Sequence, residues 1–183
     1  MSAARIISLD IETTPALTWT YGLWDQNIGL NQIVRTPFML GYAHHWYGDP
    51  LKTTEYDWTC WTENWAPRTS ALEALWDRLD EATHVIHYNG TTFDEKWINH
   101  ELIKNGIRGG RPPSPFKTID LLTQAKRVSR NLSNKLQFVS TDLLGLEGKI
   151  GANALTLWLD MYRGDEKTKV KAMTAMERYC IQD

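Results

Sequence analysis

Two carboxylates, Asp10 and Glu12, stand two residues apart in the stretch RIISLDIETTP, and on a β-strand that spacing puts both side chains on one face. Acids so close repel one another, and burial adds to the cost of charging them unless a cation compensates. A hard divalent ion such as Mg2+ or Mn2+, which prefers oxygen ligands, resolves the conflict. The plainer alternative is a strand that ends with both acids in solvent. Asp94, in NGTTFD, falls in the first turn of a helix directly after a strand, where both site acids and ordinary capping carboxylates occur. Tyr179 and Asp183, in YCIQD, share a face if that segment is helical.

These residues need elements to hold them. RIISLDIE has the apolar, β-branched content of a buried strand, and FMLGYAHHWYG and LKTTEYDW read as a second and third strand around Gly48-Asp49-Pro50, giving a meander. SALEALWDRLDEA carries Leu72, Leu75, Trp76 and Leu79 at helical spacing, with Ser70 and Glu73 as a capping box. THVIHYNG returns to strand, and TTFDEKWINHELIKNG reads as a helix capped by Thr92 and Glu95 and stopped by Gly106. After GGRPPSP the last third reads as helices: IDLLTQAKRVSR, NKLQFVSTDLLG, ANALTLWLDMYRG and EKTKVKAMTAMERYCIQD. Strands alternating with helices imply an α/β fold.

A chain of 183 residues with 42% hydrophobic content is enough for one domain with a real core, so residues 1–183 are expected to form one unit. No apolar run is long enough to span a bilayer and no basic-then-apolar leader opens the chain, so a soluble, cytoplasmic protein without a membrane partner is expected. Cys60 and Cys180 lack zinc or disulfide spacing and read as buried or incidental thiols. The five histidines, His44, His45, His84, His87 and His100, read as core or surface residues, and Asp120 as a helix cap. Most of the nine tryptophans are expected in the core. Net charge is -2, yet between Lys104 and Lys135 eight cations face Asp120 alone. Such a stretch is either a phosphate-binding surface or a solvated face.

DIET, NGTTFD and YCIQD together, in this order and on these element types, resemble the DEDD superfamily of 3'-5' exonucleases, tyrosine subclass. The surrounding TWTYGLWDQNI is similar to a phage and bacterial group of YprB-type exonucleases, so the resemblance covers nearly the whole chain. It implies an RNase H-like (DnaQ-like) fold, a central mixed sheet flanked by helices, and hydrolysis of phosphodiester bonds with two Mg2+ or Mn2+ ions. By that resemblance Asp10 bridges both ions, Glu12 and Asp183 complete the nucleophile-side site, Asp94 holds the second ion and Tyr179 orients the attacking water. Thr13, Asn89, Phe93, Lys126, Arg127 and Arg130 would contact the nucleic acid, while Trp19, Tyr21 and Trp24 are placed to stack bases. The implied substrate is single-stranded DNA or a DNA 3' end, released as nucleoside monophosphates in a bacterial or phage-infected cell, with a polymerase or other replication or repair partner. RNA cleavage of the RNase D type and a catalytically weak binding module are the alternatives. In relatives the last helix generally continues past the aspartate matched by Asp183, which leaves a shortened C-terminus or a loosely held last ligand as expectations.

Overall fold

The computed structural model of the protein describes residues 4–22, 24–58, 69–146 and 153–182. In chain order they form β1 (Ile6–Thr13), β2 (Leu17–Thr18), β3 (Ile33–Arg35), β4 (Met39–Trp46), β5 (Glu55–Asp57), α1 (Thr69–Glu81), β6 (His84–His87), α2 (Asp94–Lys104), β7 (Lys117–Asp120), α3 (Leu121–Val128), α4 (Leu136–Phe138), α5 (Ala154–Arg163) and α6 (Glu166–Gln182). The main sheet has five strands in the order β5-β4-β1-β6-β7. The expected meander is its antiparallel half, β1 with β4 and β4 with β5; β1, β6 and β7 run parallel. The architecture is thus the expected α/β one, a mixed central sheet with helices on both faces.

Strict alternation in β1 decides which side of the sheet each residue serves. Ile7, Leu9 and Ile11 point to one face and join Leu72, Leu75, Trp76 and Leu79 of α1 and Ile98 and Leu102 of α2 in one core. Burying each large apolar side chain there contributes roughly 1.5–3 kcal/mol. Ser8, Asp10 and Glu12 therefore belong to the opposite face. On that side Leu40 packs with Trp158 and Met161 of α5 and Ala172 and Met176 of α6. Both helices bury their apolar stripe toward the sheet, which brings the last turns of α6 over the acidic side of β1.

Several elements differ from the sequence reading. KTID is a strand, β7, so the helix expected from Ile119 begins at Leu121. Asp120 does cap it, accepting from the amides of Leu122 and Thr123. The third strand is shorter than LKTTEYDW, because Leu51–Thr53 is a 3-10 turn. Around Val139–Leu143 the fourth helix widens into a π turn. Neither capping box forms. Helix α1 already begins at Thr69, which puts Ser70 inside it, while Glu95 turns away from the start of α2 to accept from His87 and Thr118. Between β1 and β4 the chain makes an arm, in which β2 and β3 pair as a separate two-stranded sheet. Five tryptophans follow the core expectation, Trp76 and Trp158 buried and Trp46, Trp58 and Trp97 packed against the two clusters, whereas Trp19 and Trp24 in the arm are exposed. Among the described residues no helix is long and apolar enough to cross a membrane.

Candidate active site

Strand β1 pairs with β6 only over Ile6–Ser8 and then runs on past the end of its parallel neighbour. Ligands of open α/β sheets bind in the crevice beyond such carboxyl ends. The amide of Ile11, left without a strand partner on that side, donates to Asp94 Oδ1 at 3.2 Å. Asp94 enters from the first turn of α2 and is buried. Burial pushes its carboxyl up to about 6, against the opposing pull of backbone hydrogen bonds. One oxygen of this acid thus pins the strand that carries Asp10 and Glu12.

Asp10 and Glu12 do share a face, and the third group there is Cys180 of α6, the ligand atoms of all three lying within 4.8 Å of one another. The thiol donates to Asp10 Oδ2 at 3.5 Å. Burial, together with the charges of Asp10 and Glu12, pushes Cys180 well above its ordinary value, so it stays a neutral thiol. Oxygen donors therefore dominate this cluster at neutral pH, the donor type that Mg2+ and Mn2+ prefer. Asp94 is not one of the three but is held next to them through Ile11. Between Glu12 and Thr13 the register with β4 slips by one residue, a bulge of the kind that re-aims side chains beside sites. Buried Glu101 of α2 accepts from the amide of Met39 at the slip, 3.2 Å away, and from Asn105. Thr13 is half-buried there, its carbonyl accepting from Trp158 Nε1.

The turn HYNGTTFD sets where Asp94 begins. Gly90 N donates to His87 Nδ1 at 2.9 Å, which places the ring proton on Nε2, facing Glu95 Oε1 at 3.0 Å. A Cβ on Gly90 would overlap the His87 ring, so only glycine lets the backbone lie there. Asn89 adopts φ 68° and is occupied in the turn, its amide donating to Asp120 and its side chain accepting from Thr92. Burial pushes Asp120 up, but the hydrogen bonds from Asn89, Thr91 and Thr123 outweigh it and hold the carboxyl below its usual range. Phe93 is 40% exposed at the entrance to α2.

A cleft of about 220 Å3 opens on the acidic face, lined among others by Ser8, Asp10, His45, Tyr88, Leu121 and Cys180. Tyr88 donates to the carbonyl of Asn134 at 2.7 Å. That bond ties the loop after α3 to the cleft rim, and with it exposed Lys126, Arg127, Arg130 and Lys135. The other end of the basic stretch works elsewhere: Arg108 pairs with Asp77, and Arg108 and Arg111 lie over the Trp76 ring. Tyr179 is half-buried on α6, next in the chain to Cys180. Asp183 and Cys60 lie outside the described residues. Sequence reasoning singled out the acids but not Cys180, Glu101 or the His87 ring; the only signal for the last was a histidine three residues before a glycine in a turn.

A family model described as RNase_H superfamily matches residues 29–183. No curated protein matches the sequence. Among solved structures, the family B DNA polymerase from the hyperthermophilic archaeon Pyrobaculum calidifontis is similar over 100% of this chain, with a TM-score of 0.64 and 14% identity. The chain spans 23% of that polymerase, and the likeness at this identity is one of fold.

Proposed function

The chain belongs to the RNase H superfamily, and from that premise we propose that it is a metal-dependent 3'-5' exonuclease of the tyrosine-containing DEDD type, similar to the YprB group, acting on single-stranded DNA. The observation that carries the reading is the Asp10–Glu12 pair, set side by side on one face of β1 with their ligand atoms within 4.8 Å of each other and of Cys180, where Asp10 and Cys180 line a cleft. Asp10 and Glu12 would hold the divalent ions, with Asp94 contributing through the oxygen that does not bind Ile11. Ions bound there supply a nucleophile at neutral pH and stabilise the leaving oxygen.

The remaining work falls to the protein. Asp94 fixes the depth of β1, and the His87–Gly90 turn fixes Asp94. Tyr179, whose free phenol titrates near 10, acts at neutral pH as a hydrogen-bonding positioner of water, not as a resting base. Asp183 follows it by four residues, a spacing that on a continued helix keeps both on one face. Lys126 and Arg127 in the last turn of α3, and Arg130 on the following loop that Tyr88 joins to the cleft, would track the phosphates, and exposed Phe93 at the entrance to α2 would meet the substrate.

The test follows a 5'-labelled single-stranded DNA oligonucleotide with Mn2+, Mg2+ or chelator, beside an RNA strand of the same sequence, for the wild type and Asp10→Asn. A metal-dependent ladder shortening from the 3' end of DNA, missing in the variant, is expected. Preferential shortening of RNA would replace the substrate assignment. Intact strands in every lane, with salt-sensitive binding retained, would leave a binding module instead.

A further inference from the structure

After Thr13 the chain leaves β1 for the arm, which carries large aromatic rings on its surface. Trp19 is 75% exposed, Tyr21 fully exposed and Trp24 83% exposed, although large aromatics normally give their surface to cores or to partners. Side-chain amides of the arm hydrogen-bond its own backbone. Gln32 closes it twice, accepting from Gly29 N at 2.8 Å and donating to the Trp19 carbonyl at 3.0 Å, while the Trp19 amide donates to the Gln32 carbonyl at 2.9 Å. Gln26 donates to the Trp24 carbonyl at 2.7 Å. The base is pinned to the sheet by Thr14, whose amide donates to the Phe38 carbonyl and whose hydroxyl accepts from the Phe38 amide.

We propose that this arm is the single-strand selector of the protein, a platform on which unpaired bases stack through Trp19, Tyr21 and Trp24. The proposal rests on the nuclease reading and names what that site accepts. Three observations favour nucleic acid as the occupant. The exposed residues are rings with open faces, and every base offers a π-face of its own. From residue 14 to residue 34 the chain carries one charge, Asp25, so a polyanion meets little repulsion. The arm is also continuous with the acidic strand: Trp19 is seven residues from Glu12, so the two lie at most about 25 Å apart. Stacking needs bases that are not already stacked in a duplex, which is how a surface without base-specific contacts distinguishes single from double strands.

The experiment measures binding by fluorescence anisotropy in chelator, so that nothing is cut, with an end-labelled oligo-dT, an abasic strand of equal length and charge, and a blunt hairpin. Wild type should prefer oligo-dT to the other two by about tenfold or more. Replacing Trp19 and Trp24 together by Leu, which keeps apolar surface but removes the ring faces, should abolish that preference. Replacing both by Phe should retain it within about threefold. Thermal unfolding of each variant, at positions this exposed, checks that the fold is intact. Equal binding of oligo-dT and the abasic strand, or an unchanged preference in the Leu variant, would overturn the proposal and leave the arm to a protein partner. If the strand is shortened from its 3' end while the arm variants behave as wild type, the selector fails alone. If wild type neither cuts nor binds any strand, the nuclease reading fails with it.

Discussion

Asp120 accepts hydrogen bonds from the backbone amides of Asn89, Thr91, Leu122 and Thr123, whereas Asp10, two strands away in the sheet, faces Glu12 and the thiol of Cys180. Both are acids near the carboxyl ends of parallel strands. A carboxylate holding four backbone donors has its charge satisfied where it stands and, in return, builds the turn and the helix start around it. A pair of carboxylates facing each other is an arrangement that a cation relieves. Asp94 stands between the two cases, with one oxygen on the Ile11 amide and a carboxyl that burial keeps hard to charge. The difference separates acids that make the scaffold from acids that the scaffold presents.

Substitution can break this contrast at either end. Asp10→Asn should abolish metal-dependent cleavage, a loss of at least about a thousandfold, equivalent to about 4 kcal/mol of transition-state stabilisation. The fold should be kept, and Mn2+ titration followed by calorimetry should show weakened ion binding. A variant that unfolds, or cuts as wild type does, would make Asp10 a scaffold acid like Asp120. Gly90→Ala strikes the scaffold side instead. The added methyl would overlap the His87 ring, forcing apart the turn that holds Asn89, Asp120 and the start of α2. A stability loss of about 3 kcal/mol in urea unfolding is expected, with cleavage falling only as a consequence.

The two regions were legible in the sequence to different degrees. Asp10 and Glu12 could be read because strand geometry has a period of two, so DIE alone fixes a shared face. NGTTFD could be read because a glycine-bearing turn before an acid marks a helix start, and Asp120 because capping is local. Cys180 could not be. Ala172, Met176 and Cys180, four apart, mark the side of α6 that is buried, but Cys180 reaches Asp10 across 170 residues, and helical spacing does not say which residue of the sheet that side meets. Glu95 was misread because the capping box is a local alternative that lost to tertiary partners, His87 and Thr118. Strand β7 was absorbed into the following helix: four residues are too few to show alternation beside an amphipathic run. The arm escaped for the same reason, β2 being two residues long.

The intermediate standing of Asp94 is measurable as a pH dependence. With its folded value at about 6 and an unfolded value near 3.9, the folded protein holds a proton through this window that the unfolded chain has released. Stability from this group is therefore present below about pH 4, falls as pH rises to about 6, and stays lower above it. Asn cannot titrate, and its side-chain oxygen can still accept from Ile11 N. In chelator, Asp94→Asn should be more stable than wild type by about 3 kcal/mol at pH 8. The gain should shrink toward zero at pH 4, read from urea unfolding at each pH. A gain independent of pH would mean that repacking, not removal of a buried charge, is responsible.

The smallest effect expected sharpens the comparison from the α6 side. Cys180 is buried, and its thiol is a weak donor to Asp10. Cys180→Ser keeps a donor of nearly the same size and strengthens the hydrogen bond to Asp10, but buries a more polar group, and these terms oppose each other. Cys180→Ala removes the donor and leaves a small void, a cost of about 1 kcal/mol. If the thiol only fills space, Ser should be the worse of the two in stability and neither should alter ion affinity. If it orients Asp10, Ser should match wild type and Ala should weaken Mn2+ binding severalfold while unfolding nearly normally. We expect the second pattern, because the Sγ lies within reach of both the carbonyl and the carboxylate of Asp10, and two acceptors on one residue fix the helix against the strand at the acid itself.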